Sequence, residues 1–161
     1  MSYELVTLPA YRAIGMRWQG TYAEVVPHLK SVIREMEERA SELEYKLNPS
    51  FQLGLSYHVI EDGFAHYAVY QVSEQQEIPN GMIEIYIPQW TYVKTEHHKG
   101  QNIGNTYNEL QRWLDLNGYI PLREANTVYF DPMPIKHEYY PAEYDKNDPH
   151  FDIYIPVVRN D

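Results

Sequence analysis

The chain reads as an α+β domain built from two copies of a strand–helix–strand–strand unit, in which one antiparallel sheet carries both helices on the same face. Three observations predict this. Two amphipathic helical stretches each stand between a proline-interrupted strand region and further β-rich runs. The second series begins about halfway along the 161 residues. A chain of this length also fits one domain, since domains cluster at ~100–150 residues and one of this size buries ~68–70% of the surface its unfolded form exposes.

Residues Tyr3 to Trp18 form the first strand region, with Leu5, Val6, Leu8, Ala13, Ile14 and Met16 as apolar positions. Pro9 cannot donate to a ladder, so a bend is expected there. Thr21 followed by Glu24 has capping-box spacing and opens a helix. Val25, Leu29, Val32, Ile33, Met36, Ala40 and Leu43 then recur with the period of a helix that buries one stripe. Pro27 falls in its first turns, where a missing N–H is best tolerated. The helix is expected to end near Lys46, before Asn48-Pro49. Phe51 to Ile60 and Phe64 to Ser73 are β-rich and separated by Glu61-Asp62-Gly63, which predicts a hairpin.

After a polar connector, Glu74 to Asn80, the series restarts. Met82 to His98 is a second strand region broken by a proline. Gly100 to Asn102 leads into a shorter helix with Tyr107, Leu110, Trp113 and Leu114 on one face, and Gly118 is placed to end it. Thr127 to Asp131 is expected to be a strand, and Phe151 to Val158 the last one. Between them, Pro132 to Pro149 reads as a long loop rich in Pro, Tyr and Asp.

The halves match in detail. Glu4-Leu-Val-Thr-Leu-Pro-Ala-Tyr11 and Glu84-Ile-Tyr-Ile-Pro-Gln-Trp90 share an acid, alternating apolar residues, a proline and an aromatic. Each leads to a strand, a glycine (Gly20, Gly100), a helix and two strands. The repeats are expected at about 1–76 and 80–161, paired about a pseudo-twofold axis. A sheet with both helices on one face would bury both apolar stripes and leave its other face free.

Composition removes several functions. There is no cysteine, which excludes disulfides, thiolate metal sites and a Cys nucleophile. The formal charge is −10 and the basic residues are scattered, so direct nucleic-acid binding is not expected. No basic-then-apolar leader or span-length apolar run is seen, so no membrane role is expected and the simplest reading is cytoplasmic. No phosphate loop, serine-nucleophile motif or dinucleotide fingerprint is present, and no cofactor is expected. His97 and His98 are adjacent on a strand and face opposite ways, so no metal site is expected. Sixteen tyrosines against four phenylalanines favour half-wet pocket walls, since tyrosine joins an apolar ring to a polar tip.

Several segments together resemble the GyrI-like small-molecule-binding domain, also the effector-binding domain of AraC-type and MerR-type regulators. They are Leu8-Pro-Ala-Tyr-Arg-Ala-Ile-Gly15, Ile87-Pro-Gln-Trp-Thr-Tyr-Val93, His97-His-Lys-Gly100 and Phe151-Asp-Ile-Tyr-Ile-Pro-Val157. The resemblance runs over nearly the whole chain and implies a ligand cleft between the halves. It also implies lipophilic, often cationic, ligands held by aromatic walls and a buried acid. Some standalone members protect DNA gyrase and some hydrolyse strained-ring toxins. The family's closing strand usually reads Glu-Ile-x-Ile-Pro-Val, so its acid position falls on Asp152, one methylene shorter. No room is seen for a helix-turn-helix domain, so any regulation would act through a protein partner.

The candidate ligand-binding residues follow. Asp152 lies in an apolar run, where an unpaired buried carboxylate would be costly, so it should meet a cation or hydrogen-bond donors. Trp90 and Tyr92 share strand parity, and Glu96 shares it too as a secondary acid. Trp18 lies in the matching region of the first half, with Tyr57 and Tyr67 on the hairpin. Tyr140, in the long segment, is a candidate lid residue, and Tyr154 shares the parity of Asp152. The expected function is a module that senses or sequesters an amphipathic, cationic or neutral small molecule. An enzyme reading would use Asp152 or Glu96 with Tyr140 as a hydrolase, and a third reading is a protein-interaction modulator of the gyrase-inhibitor type.

Overall fold

The computed structural model describes residues 2–161. Pro9 splits the first strand region into β1 (Glu4–Leu8) and β2 (Tyr11–Thr21). The Thr21 N–H donates to Glu24 Oε1 at 2.8 Å, but this box caps only a short 3-10 turn, Tyr22–Glu24. The expected continuous helix from Thr21 to near Lys46 is broken. Val26 is extended (φ −110°, ψ 120°) before a cis peptide to Pro27, because a residue ahead of proline is driven out of the α region. Helix α1 therefore runs only from Lys30 to Glu38. A 3-10 turn, Ala40–Glu42, follows, and Leu43 still reaches the core.

Strands β3 (Phe51–Tyr57) and β4 (Gly63–Val72) form the predicted hairpin. The second half repeats the order with β5 (Ile83–Ile87), β6 (Trp90–His97) and α2 (Ile103–Asn117). Asn102 Oδ1 accepts from the Asn105 N–H at 3.0 Å to start α2, and Gly118 ends it in the left-handed region at φ 78°. A short β7 (Tyr119–Pro121) follows.

The closing strands are β8 (Ile135–Pro141) and β9 (Phe151–Arg159). The expected strand at Thr127 to Asp131 is irregular instead, with Asn126 at φ 59° and Val128 exposed. The missing strand is β8, inside the segment expected to be a loop. Only the stretch from Ala142 to His150 remains as the connection between β8 and β9.

All pairs are antiparallel, in the order β1-β6-β9-β8-β3-β4-β2-β5, with β7 against the end of β9. The order has the same form from either end. Each half keeps three strands together and gives its first strand to the other: β1 pairs with β6, and β5 with β2. The pseudo-twofold axis falls between β3 and β8, where Gly54 lies opposite Glu138.

Directly paired residues in an antiparallel ladder project to the same side. The register thus places Met16, Ala68, Gly54, Glu138 and Ile153 in one row on one face. Met36 and Leu43 pack on Ile14, Met16 and Ala68. Leu110 and Leu114 pack on Val93, Ile153 and Ile155. Both helices therefore cover the same face, one over each half, and each fully buried leucine contributes about 1.5–3 kcal/mol. A third core of Leu53, Leu55, Val69, Ile87 and Ile135 lies on the opposite face.

Candidate functional site

Between the two helices, the helix-side residues of β3 and β8 are Gln52, Gly54, Ser56, Lys136, Glu138 and Tyr140, none of them aliphatic. Glu138 stands there at the pseudo-twofold axis, with Tyr140 two residues along the same strand and Tyr107 reaching in from α2. Tyr107 Oη donates to Glu138 Oε2, and Tyr140 Oη donates to Glu138 Oε1 at 2.5 Å. Burial pushes the Glu138 pKa up, while the two tyrosine hydroxyls and Lys136 pull against it. Burial first, then the Glu138 charge, raises both tyrosines well above their usual value. They therefore stay protonated donors. Protein surrounds all three side chains closely, yet each keeps part of its surface open. That combination describes the floor of a cleft.

The rest of the floor is polar and aromatic. Ser56 Oγ lies 2.9 Å from His66 Nδ1, and burial lowers His66 to about 4, so its ring is neutral. Gly54 is required beside them, since a Cβ there would come within 2.9 Å of the His66 ring and 3.2 Å of the Tyr140 ring. Trp18 shares a row with His66 and packs edge-on to Phe64 at 5.5 Å. At this end Lys136 Nζ donates to His58 Nε2 at 3.1 Å and to Asp131 Oδ1 at 3.4 Å. The cation beside Glu138 is thus already engaged. A cavity of about 280 Å³ beside Tyr107 is lined by Met133 and Lys136, and one of about 250 Å³ beyond Tyr140 by Gln52, Tyr70 and Tyr144.

The nine sequence candidates divide between the two faces. Trp18 and Tyr140 are on the helix side with Glu138. Tyr57, Tyr67, Trp90, Tyr92, Glu96, Asp152 and Tyr154 are on the other. An acid–tyrosine pair made from Asp152 or Glu96 with Tyr140 is therefore not formed, because the sheet separates them; the acid that meets Tyr140 is Glu138. Asp152 is half-buried, and burial raises its pKa, with Glu96 adding to the rise and Lys94 opposing it. Tyr92, Trp90 and Tyr57 surround His137, whose Nε2 is 3.1 Å from Tyr57 Oη and whose pKa burial lowers to about 3. His97 is buried against Thr106 Oγ1 at 2.7 Å, and His98 is exposed. Among the described residues, no three His, Asp or Glu side chains gather as a metal set, and no helix is long and apolar enough to cross a membrane.

Sequence reasoning missed Glu138, Tyr107 and His66. The signal for Glu138 was present in Ile135-Lys-His-Glu-Tyr-Tyr140, which alternates properly if His137 is counted as a buried residue. Three nearby prolines hid it.

Comparison with known proteins agrees with this architecture. The model of the GyrI-like small molecule binding domain matches residues 1–158. No curated protein matches the chain. Similar solved structures include SAV2435 bound to tetraphenylphosphonium, 11% identical over 98% of this chain and 94% of that one, with a TM-score of 0.67. The EcmrR C-terminal domain is 17% identical over 98% of both chains, with a TM-score of 0.65. A hydrolase from Listeria innocua is 9% identical over 97% of this chain and 91% of that one, with a TM-score of 0.59. Fold and sequence match converge: the chain belongs to the family of GyrI-like small-molecule-binding domains.

Proposed function

We propose that the chain senses or sequesters an amphipathic small molecule, cationic or neutral, in the cleft over Glu138. The observation that carries this reading is a carboxylate held between two tyrosine hydroxyls at the sheet centre, closely surrounded yet partly open. A buried charge is costly without a partner, and Lys136 is committed to Asp131 and His58. A bound cation would add to the partial counter-charge that Lys136 gives Glu138. The rings of Trp18, Tyr107 and Tyr140 would add cation–π or stacking contact, about 0.5–2 kcal/mol each. Asp152, Glu96, Trp90, Tyr92 and Tyr154 are proposed to stand apart from this ligand, since they lie across the sheet.

The test uses the lipophilic cation tetraphenylphosphonium, which SAV2435 binds. Saturable quenching of tryptophan fluorescence is expected, with Glu138→Gln weakening affinity at least tenfold, about 1.4 kcal/mol. Neutral triphenylphosphine oxide should lose much less. Equal affinity in the wild type and in Glu138→Gln would remove the acid from the site.

The Glu138–Tyr140 contact also supports a hydrolase reading, because a carboxylate beside a hydroxyl can move a proton. There, Glu138→Gln should abolish turnover of a strained-ring substrate while binding of the substrate persists.

A further inference from the structure

The face away from the helices carries its own groove. It encloses about 290 Å³, near the lower end for small-ligand sites, and continues into a broader one of about 790 Å³ past Pro88 and Trp90. Both halves build it. Tyr57 and Tyr67 come from the first hairpin, Trp90 from the start of β6, and Tyr129 from the irregular segment between β7 and β8. Two exposed charges of opposite sign line the same space, Arg17 from β2 and Glu124 from that irregular segment.

Neither charge is neutralised. Arg17 lies over the Tyr67 ring at 5.6 Å, and its Nε donates to Tyr67 Oη at 3.2 Å. Glu124 Oε1 accepts from Tyr129 Oη at 3.3 Å. Among the described residues, no ion pair includes either one, with each other or with a third group. A plain anion would meet Glu124, and a plain cation would meet Arg17. A molecule with both charges around a flat ring satisfies all three features together.

We propose that this groove binds an aromatic zwitterion of the α-amino-acid type. The ring stacks among Tyr57, Tyr67, Trp90 and Tyr129, the carboxylate pairs with the Arg17 guanidinium, and the ammonium pairs with Glu124. Arg17 suits the carboxylate because its planar fork can donate two parallel hydrogen bonds. This site is separate from the Glu138 cleft and does not depend on it.

The experiment titrates L-phenylalanine into the intact chain and follows the Trp90 indole N–H by NMR, with calorimetry alongside. Two analogues each lack one charge: 3-phenylpropanoate the ammonium, and phenethylamine the carboxylate. Phenylalanine should bind at least tenfold tighter than either analogue. Arg17→Ala and Glu124→Ala, at exposed positions, should each cost at least tenfold, and Glu138→Gln, which weakens tetraphenylphosphonium, should leave the phenylalanine affinity as it is. No perturbation of Trp90 at millimolar phenylalanine would overturn the proposal. So would an analogue binding as well as the zwitterion, or loss of binding in Glu138→Gln, which would move the ligand to the cleft. Folding of each variant is checked by circular dichroism, and retained tetraphenylphosphonium binding in Arg17→Ala separates this test from that of the cleft.

Discussion

Removing the Tyr107 hydroxyl tests whether the central carboxylate depends on its two donors. Tyr107→Phe keeps the ring that α2 projects over the sheet but leaves Glu138 Oε2 without its partner. Hydrogen bonds to charged groups contribute about 1.5–3 kcal/mol. Lys136 cannot step in, because Asp131 and His58 hold it. In a chain of this size a loss of about 2 kcal/mol lowers the melting temperature by about 4–8 °C.

The pH dependence has a definite sign. The hydroxyl favours the ionised carboxylate, so it holds the Glu138 pKa down against the burial that raises it. The bond's stabilisation is therefore present while Glu138 is ionised, and it fades as acid protonates the group. Urea unfolding at neutral and mildly acid pH should show a wild-type advantage that narrows at the lower pH. The same substitution made in a Glu138→Gln background should cost less. An unchanged midpoint at neutral pH, or an undiminished loss in that background, would refute the reasoning.

Three further outcomes are expected. Burial holds His66 at about 4 and His137 at about 3, so the unfolded chain takes up these protons first and stability is lost as pH falls below ~6.5. Glu138 and Asp152, raised by burial, oppose that trend, so the diagnostic is the slope of stability against pH, which should fall by about one proton in His66→Gln. Asp152→Asn should leave tetraphenylphosphonium affinity within about twofold, because Asp152 lies across the sheet from Glu138; a tenfold loss (~1.4 kcal/mol) in the quenching titration would return it to the site. Gly54→Ala should destabilise by about 1–3 kcal/mol and weaken ligand binding, since its Cβ would displace the His66 and Tyr140 rings; a variant with wild-type melting and affinity would contradict this.

The periodic signals predicted the architecture well. Both apolar stripes reach the core, at Leu110 and Leu114 in α2 and at Met36 in α1, while Leu43 does so from beyond the end of a first helix shorter than its stripe. Gly118 ends α2 as its spacing predicts. The exchange of β1 and β5 between halves is a long-range pairing, and no local pattern encodes it. The site was only half legible for a related reason. Parity along one strand grouped Trp90 with Tyr92 and Glu96, which do share a face. Parity cannot say which face of one strand continues that of another, so Trp18 and Tyr140 were joined to Asp152 from across the sheet. Glu138 was lost because β8 looks polar: its inward residues include a neutral histidine, and its helix-side residues are Lys136, Glu138 and Tyr140.

The position of Glu138 has a structural origin in the duplication. Two halves related by a pseudo-twofold axis must place one residue of each side by side at the centre, here Gly54 and Glu138. Two identical large residues would crowd each other there, and two acids would repel. The divergence of the halves resolves this: one half gives up its side chain, and the other supplies a carboxylate. Glycine on one side lets the His66 and Tyr140 rings close in, and Tyr140 then donates to the acid. The duplication supplies a symmetric trough between two helices, but the chemistry comes from breaking that symmetry at the axis. Restoring a side chain at Gly54 should therefore disturb binding and stability together, whereas a change of similar size at the rim of the trough should disturb binding alone.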